Sequence, residues 1–514
     1  MKTNLTALEL LDFLTDTAAS VLPNESLLMP EIRALVEQVK KAVIKQTTGL
    51  RNLLLNADSY KASHWLQYPP NTRYVYSYIE SRGGELDTTV FFGLQGFIKD
   101  YLNTTVTFAM IDEAEAYWTA HGEPFNRAGW EYIVREHNGR LPISIKAVPE
   151  GTVIAGKNVL VSIVNTDPNC FWLPSFLETA LLRAVWYPVT VATNSYQCKQ
   201  VIKEFLVATS DDPEGQIAFK LHDFGARGVS SLESAAIGGA AHLVNFMGTD
   251  TMSGIVYLRE FYGAVDMPAF SVPAAEHSTI TSWGRENEAE AYRNMLRQFA
   301  KPGSIVAVVS DSYDIYNAVE NIWGETLKQE VIDSGATLVV RPDSGDPEVV
   351  PVDCVELLAK KFGYTVNKKG YKVLPVRADG TPVVRVIQGD GVNIASIRAI
   401  LQNLKDRGFS AENITFGMGG KLLQALDRDT LKFAMKCSAI DINGTWVDVY
   451  KDPATDTGKR SKRGRLALVT DDGVNFKTVR LEEAEPNADI LVEVYRDGEV
   501  TKEYTLAEIR QRAA

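Results

Sequence analysis

Between about residues 180 and 440 the chain repeats one pattern: a short apolar run that reads as a strand, a polar or glycine-rich end, then a helical stretch. The ends are HDFGARG from His222, GTD from Gly248, AEHS from Ala275, SDSYD from Ser310, RPDSGDP from Arg341, QGDG from Gln388 and GMGG from Gly417. From His222 through Asp250, His277, Asp311, Asp343 and Asp390 to Gly419 the spacings are 28, 27, 34, 32, 47 and 29 residues, the length of a βα unit. Repeated βα units imply a parallel sheet whose polar strand ends all gather on one side. A closed α/β barrel holds its active site there, whereas an open doubly wound sheet binds ligands at a switch point. Seven polar ends favour the barrel.

The flanks read differently. β-type runs at Tyr74–Ile79, Thr88–Phe92, Ile143–Val148 and Val159–Val164, separated by turns, predict a mostly antiparallel lobe over 51–180. After residue 440 short strands return at Trp446–Tyr450, Arg465–Val469 and Ile490–Tyr495, so 441–514 is expected to rejoin that lobe, with a short terminal helix at Leu506–Arg512. Ile32, Leu35, Val36, Val39 and Val43 follow the stripe of an amphipathic helix, which makes 1–50 a helical arm packed on the body or on a partner subunit. The expected fold is therefore α/β: an irregular parallel α/β barrel over 181–440, an antiparallel β-rich lobe built from N- and C-terminal segments, and an extra helical N-terminal arm.

Composition excludes several classes. With 514 residues, 45% hydrophobic and 23% charged, the chain is of ordinary globular make-up and has material for a large core. Its 53 basic against 65 acidic residues leave a net charge of −12, which disfavours nucleic acid as a partner but allows a local basic pocket. Cys170, Cys198, Cys354 and Cys437 show no CxxC spacing, so neither a zinc site nor a disulfide framework is indicated, and a reducing cytoplasm is the expected home. Glu9, Asp12 and Asp16 break the first apolar residues, against a signal peptide, and no apolar run approaches the ~18 residues of a membrane span.

Several motifs could carry chemistry. Neither GxxxxGK[ST] nor GxGxxG occurs; Gly417, Gly419 and Gly420 before a helix starting near Leu422 form the nearest phosphate cradle, although such glycines also serve simply as turns. Arg341 and Asp343 lie two residues apart at a strand end and so share a side, an arrangement that suits a sugar-phosphate or a structural ion pair. Asp390 repeats the carboxylate beside glycine. His277 follows Glu276, and Asp311 closes a later strand; a histidine oriented by a carboxylate can act as base, nucleophile or phosphate acceptor. KRSKRGR at 459–465 is a basic run in an acidic chain, either a solvated loop or a collector of polyanions.

Taken in order, DSYKASHWLQYPP from Asp58, YSYIESR from Tyr76, KLHDFGARGVSS from Lys220, HLVNFMGTDT from His242, SVPAAEHSTIT from Ser271, SDSYDIYN from Ser310, RPDSGDP, VIQGDGV and KDPATDTGKRSKRGR resemble the nicotinamide phosphoribosyltransferase family. The similarity runs from about residue 52 onward. Members are type II phosphoribosyltransferases, with an irregular α/β barrel and a β-rich lobe, acting as homodimers with shared active sites. The resemblance implies that nicotinamide and phosphoribosyl pyrophosphate give nicotinamide mononucleotide and pyrophosphate in NAD salvage, with Mg²⁺, and with ATP as a coupled substrate.

By motif, Phe224 and a partner-supplied Tyr60 would sandwich the pyridine ring. Asp250 would accept from the carboxamide and repel the carboxylate of nicotinate. Arg341 would support the ring or its amide, and Asp343, Gly389 and Asp390 would hold ribose. Arg227 and Gly420 would line the phosphate site; Asp58, Ser271 and Gly419, in the same motifs, belong to the substrate-binding set. His277 matches an autophosphorylated histidine, with Glu276 beside it and Asp311 orienting the imidazole. Arg82, Lys451 and Lys459, with Arg428 and Lys436 from the partner's side, match positions for pyrophosphate, ATP or product phosphate. The chain departs from the family pattern in residues 1–50, in a shorter loop after Arg82 than in the animal proteins, in Ala434 where a serine is common, and in Lys421 for a glycine. The nearest rival is a nicotinate phosphoribosyltransferase, against which Asp250 argues.

Overall fold

A computed structural model describes residues 34–36, 47–452 and 461–514. The helical arm expected over 1–50 lies outside the described residues except for a helical turn at 34–36 and the stretch from Thr47, and Lys459 lies outside them too. The chain divides into two compact units, one joining residues up to Trp186 with Leu431–Tyr504, the other joining Tyr187–Thr430 with Thr505–Ala514.

The first unit is built on a seven-stranded sheet in the order Thr445–Asp448, Phe433–Ile442, Thr72–Ser81, Val159–Asn165, Ile143–Ala147, Val492–Arg496, Glu499–Val500. Every pairing is antiparallel. Thr72–Ser81, rich in aromatic and β-branched residues suited to a strand, is buried along nearly all its length and pairs with Phe433–Ile442 on one side and Val159–Asn165 on the other. The β-rich lobe thus combines early and late segments, as expected. Two helices, Phe108–His121 and Arg127–Glu136, interrupt the strands; Thr107 and Asn126 cap them by accepting from the N–H groups of Met110 and Gly129. Trp130 is fully buried, edge-on to Trp172 and Phe176 at 4.8 and 5.2 Å. Leu466–Thr470 pairs only with Phe476–Arg480, in a separate ribbon of the same unit.

In the second unit six parallel strands run in the order Gly248–Thr249, Leu221–Asp223, Ile414–Met418, Val384–Gln388, Thr337–Arg341, Ile305–Val309. The segment Phe270–Ala275 joins the two outer strands: Phe270 bridges Gly248 and Ala274 bridges Ala307, both in parallel. The Phe270 N–H donates to the Met247 carbonyl at 2.8 Å and the Ala275 N–H to the Ala307 carbonyl at 3.0 Å. Seven segments therefore close into a ring in chain order, the irregular barrel predicted from seven polar ends. Strands such as IVAVV and VRVIQ are buried at all but one position, as expected where both faces of a parallel sheet are covered.

Helices cover the ring. Ile394–Asp406 starts at Asn393, whose side chain accepts from the N–H groups of Ala395 and Ser396, and it buries Ile397, Ile400, Leu401 and Leu404 on one stripe. Glu178–Thr209 runs for 32 residues with Pro188 inside it. The helix Leu506–Ala513, opened by a Thr505–Glu508 capping box, groups with the barrel rather than with the β-rich lobe to which 441–514 was expected to return. The reason is local: the Leu506 N–H donates to the Tyr262 carbonyl at 3.1 Å, and Leu506, Ile509 and Ala513 are buried. No described helix is long and apolar enough to cross a membrane.

Candidate active site

Phe224 follows the strand Leu221–Asp223, and its N–H donates to the Met418 carbonyl at 2.9 Å, which prolongs the pairing with Ile414–Met418. Its ring rests on bare backbone. A Cβ at Gly417 would fall 2.0 Å from the ring, and one at Gly389 would fall 3.5 Å from it. Gly417 is therefore needed to seat Phe224, a third use beside the phosphate cradle and the simple turn that its sequence allows. Gly419 and Gly420 do line a cleft of about 190 Å³, together with Phe224, Arg227, Arg341, Asp343 and Gly389. Gly228 lines it as well, next to Gly420, and nothing in its sequence context singles it out. The helix after the glycines is a single turn, Gly420–Leu423.

Arg341 and Asp343 share a side of the strand end, as predicted. Their Nε and Oδ1 atoms are 3.6 Å apart, too far for a hydrogen bond, and Arg341 Nε is buried without a hydrogen-bond partner. A buried N–H in a cleft wall calls for an acceptor, which a ligand can supply.

His277 opens the short helix His277–Thr281, where its ring meets two carboxylates. Nε2 lies 3.0 Å from Asp311 Oδ1 and Nδ1 lies 3.9 Å from Asp343 Oδ2. The Asp311 carboxylate is only 3% exposed, against 44% for His277. An ionised Asp311 can only accept, so Nε2 carries the N–H of that bond, while Nδ1 at 3.9 Å is beyond hydrogen-bonding distance of Asp343. Glu276 serves elsewhere: its N–H donates to Thr279 Oγ1 at 3.2 Å and its carboxylate accepts from the Ser278 hydroxyl, so it starts the helix.

Asp250 and Ser271 stand on adjacent segments of the ring, and Ser271 Oγ donates to Asp250 Oδ1 at 2.5 Å. Both are exposed. Beneath them Asp223, missed in the sequence although it lies within HDFG, is wholly buried and accepts from the Gly225 N–H at 2.7 Å. Burial pushes its carboxyl up to about 6. Asp390 is exposed and outside the cleft lining, its carbonyl accepting from Gln388 at 2.8 Å, while Arg428 is exposed and pairs with Asp429 at 3.1 Å.

The remaining expected residues belong to the first unit. Asp58 exchanges hydrogen bonds with Thr179, and Tyr60 is 54% exposed, edge-on to His64. Arg82 places Nε 3.3 Å from Glu80, with Nη2 buried and unpartnered. The Lys436 amine is held below the usual lysine range by desolvation and by repulsion from Arg82, Lys61 and Lys451, partly countered by Glu178. That mutual repulsion marks a cationic cluster, suited to a polyanion, in an otherwise acidic chain. The Lys451 N–H donates to Ser461 Oγ at 2.8 Å, which brings together the chain on either side of 453–460.

Among the described residues one group of His, Cys and Asp converges closely enough to hold a metal: His137, Asp167 and Cys170, in the first unit. Asp167 already accepts from His137 at 2.8 Å, Tyr132 at 3.0 Å and the Asn169 N–H at 2.7 Å, and burial pushes the Cys170 thiol up to about 12. The group is a closed hydrogen-bond network. In the cleft, Asp343 is the part-exposed carboxylate that offers hard oxygen to a cation.

Comparison with known proteins gives the family. Residues 219–499 match the Nicotinate phosphoribosyltransferase (NAPRTase) family, and residues 52–145 match the nicotinamide phosphoribosyltransferase N-terminal domain. A nicotinamide phosphoribosyltransferase of Xanthomonas campestris pv. campestris is 59% identical over 469 residues, covering 90% of this chain and 98% of its own length. One from Acinetobacter baylyi is 34% identical over 502 residues, covering 90% and 97%. Among solved structures, nicotinate-nucleotide pyrophosphorylase from Pyrococcus furiosus superposes with a TM-score of 0.58 at 14% identity, over 91% of this chain and 96% of that one. Human nicotinic acid phosphoribosyltransferase gives 0.52 at 15% identity, over 89% and 92%. At such identity these two share the fold.

Proposed function

The chain belongs to the nicotinamide phosphoribosyltransferase family and is a pentosyltransferase, and from that premise we propose that it joins nicotinamide to phosphoribosyl pyrophosphate, giving nicotinamide mononucleotide and pyrophosphate for NAD salvage. The observation that carries this reading is the strand-end cleft, where an aromatic ring, a guanidinium beside a carboxylate, and a glycine cradle face one space.

The pyridine nitrogen attacks C1′ of the ribose and the C1′–O bond to diphosphate breaks, so no proton need move and positioning dominates. Phe224 supplies one stacking face, and Tyr60 of a second copy in a homodimer supplies the other. Asp250, fixed by Ser271, accepts from the carboxamide N–H and meets nicotinate with like charge. Arg341 supports the amide, while Asp343, with Gly389 and Asp390 on the ribose, offsets positive charge at the ribosyl centre. Arg227, Gly419 and Gly420 take the nucleotide phosphate. Arg82, Lys436 and Lys451, with Lys459 and Arg428, take diphosphate and ATP. Mg²⁺, held by diphosphate oxygens with Asp343 as the carboxylate donor, would offset the negative charge of the leaving group.

His277 is the phosphoryl acceptor that couples ATP. With Nε2 engaged by Asp311, Nδ1 is the free nitrogen: the Nδ1–P bond forms as the bond from the γ-phosphorus to ADP breaks, and the proton stays on Nε2. Free cysteines, three of them buried, suit a reducing cytoplasm.

The test is product formation with phosphoribosyl pyrophosphate, Mg²⁺ and either nicotinamide or nicotinate, each with and without ATP. Mononucleotide from nicotinamide, increased by ATP, is the expected result; preference for nicotinate overturns the substrate. His277→Ala is expected to keep transfer and lose coupled ATP hydrolysis. A variant that still hydrolyses ATP in step with product refutes phosphoryl acceptance at His277.

A further inference from the structure

Arg510, on the helix Leu506–Ala513, directs its guanidinium at backbone. Nε donates to the Leu243 carbonyl at 2.8 Å, and Nη2 donates to the carbonyls of Phe246 at 3.3 Å and Pro268 at 2.9 Å. Burial lowers its pKa from the ordinary arginine value, so the charge is held by carbonyl dipoles in a partly dry setting. A desolvated guanidinium spent on three carbonyls fixes the relative position of the segments that own them.

Those segments lead into the amide end of the site. Phe246 precedes the strand Gly248–Thr249, which leads directly to Asp250, and Pro268 precedes Phe270 and Ser271. The strand is only two residues long, so the clamp stands roughly 10–13 Å of extended chain from Asp250 and Ser271. Between the two segments the ring has one bridge, Gly248 to Phe270. Arg377 makes a similar clamp, on the Ala336 and Pro382 carbonyls at 2.9 and 2.8 Å, where Thr337–Arg341 and Val384–Gln388 begin. There Thr337–Arg341 is also held by five paired residues on one side and three on the other. Gly248–Thr249 keeps two paired residues with Leu221–Asp223 on its other side, but its register against Phe270 and Ser271 rests on that one bridge, with its two backbone hydrogen bonds, and on Arg510, whereas under Arg377 three paired residues join the two strands directly.

We propose that Arg510 is a positioning residue for recognition of the base: it holds the two segments in register so that Ser271 Oγ meets Asp250 Oδ1, leaving Oδ2 to accept from the substrate amide. This rests on the reading of Asp250 as the amide acceptor.

Steady-state kinetics with nicotinamide and nicotinate on Arg510→Ala, Arg510→Lys, Asp250→Asn and Arg377→Ala test it, each variant checked by thermal unfolding. Arg510→Ala is expected to raise the KM for nicotinamide about tenfold, the worth of one misplaced hydrogen bond, with kcat and the KM for phosphoribosyl pyrophosphate within about twofold. Its preference for nicotinamide over nicotinate in kcat/KM falls towards that of Asp250→Asn. Arg510→Lys, with one ammonium for three carbonyls, lies between it and the parent and serves in its place if the alanine variant does not fold. Arg377→Ala lowers Tm and leaves the preference intact. The proposal falls if both Arg510 variants keep the parent KM and preference while Asp250→Asn loses them, or if the KM values for both substrates rise together. Unchanged preference in Asp250→Asn overturns the Asp250 reading itself, a result distinct from failure at Arg510.

Discussion

The tightest constraint at the level of single residues is the contact of Phe224 with Gly417. A methyl at 417 would lie 2.0 Å from the ring, so one of the two must move. Gly417→Ala is expected to cost about 1–3 kcal/mol of stability by overpacking and to lower kcat/KM for nicotinamide at least about tenfold as the ring swings out. Thermal unfolding of Phe224→Ala, Gly417→Ala and the double variant checks the cause: with the ring removed, Gly417→Ala becomes nearly silent. Additive losses would show that Gly417 matters for some other reason. HDFG and GMGG were both visible in the sequence, but nothing in either says that one closes on the other. Glycine signals freedom or lack of bulk without naming the neighbour that needs it. Arg341 and Asp343 were legible because two-residue spacing on a strand fixes a shared side.

At the scale of elements, the helix Leu232–His242 is tied to the strand Gly248–Thr249 by its last residue. His242 is fully buried, with Nε2 3.2 Å from the Gly248 carbonyl and Nδ1 2.9 Å from Ser195 Oγ. Burial lowers its pKa to about 3. The unfolded chain takes up a proton near pH 6.5 that the folded chain refuses, so this stabilising share is full above pH 6.5 and is lost as pH falls towards 3. Asp223, raised to about 6 by burial, works in the opposite direction between about pH 6 and 4. The comparison that isolates His242 is with His242→Gln: between pH 7 and 5 the parent should lose about 2 kcal/mol more stability than the variant. Equal slopes in denaturant titrations would remove His242 from the account. The helix Glu178–Thr209 was not legible, since apolar and small residues surround it and leave no clean stripe. Arg510 left no signal either, because a side chain that binds backbone carbonyls has no complementary residue to pattern against.

For the molecule as a whole, the two units close over different distances along the chain. Neighbouring strands of the ring follow one another in sequence except where Ile414–Met418 closes on Leu221–Asp223, whereas Thr72–Ser81 must wait for Phe433–Ile442 to complete its sheet. Contacts between distant segments form late because loop closure precedes their reward. Pulse-labelled hydrogen exchange during refolding should find amides of Thr337–Arg341 and Val384–Gln388 protected before those of Phe433–Ile442; simultaneous protection would contradict this. The ring was readable because each strand carries its own polar end, and the sheet of the first unit because its runs are short and turn-bounded. The seam at Phe270–Ala275 was seen only through AEHS, since two isolated bridges ask little of a sequence.

The floor beneath Phe224 is main chain, from Gly417 and Gly389. Side chains under a ring can change rotamer to admit a thicker guest, but a strand backbone held in a barrel wall has no such slack. A bulkier guest on Phe224 can therefore gain no room by pressing the ring down, and any extra thickness has to be found on the opposite face. One missing methyl group, at Gly417, makes the ring a fixed datum from which whatever stacks on it is measured.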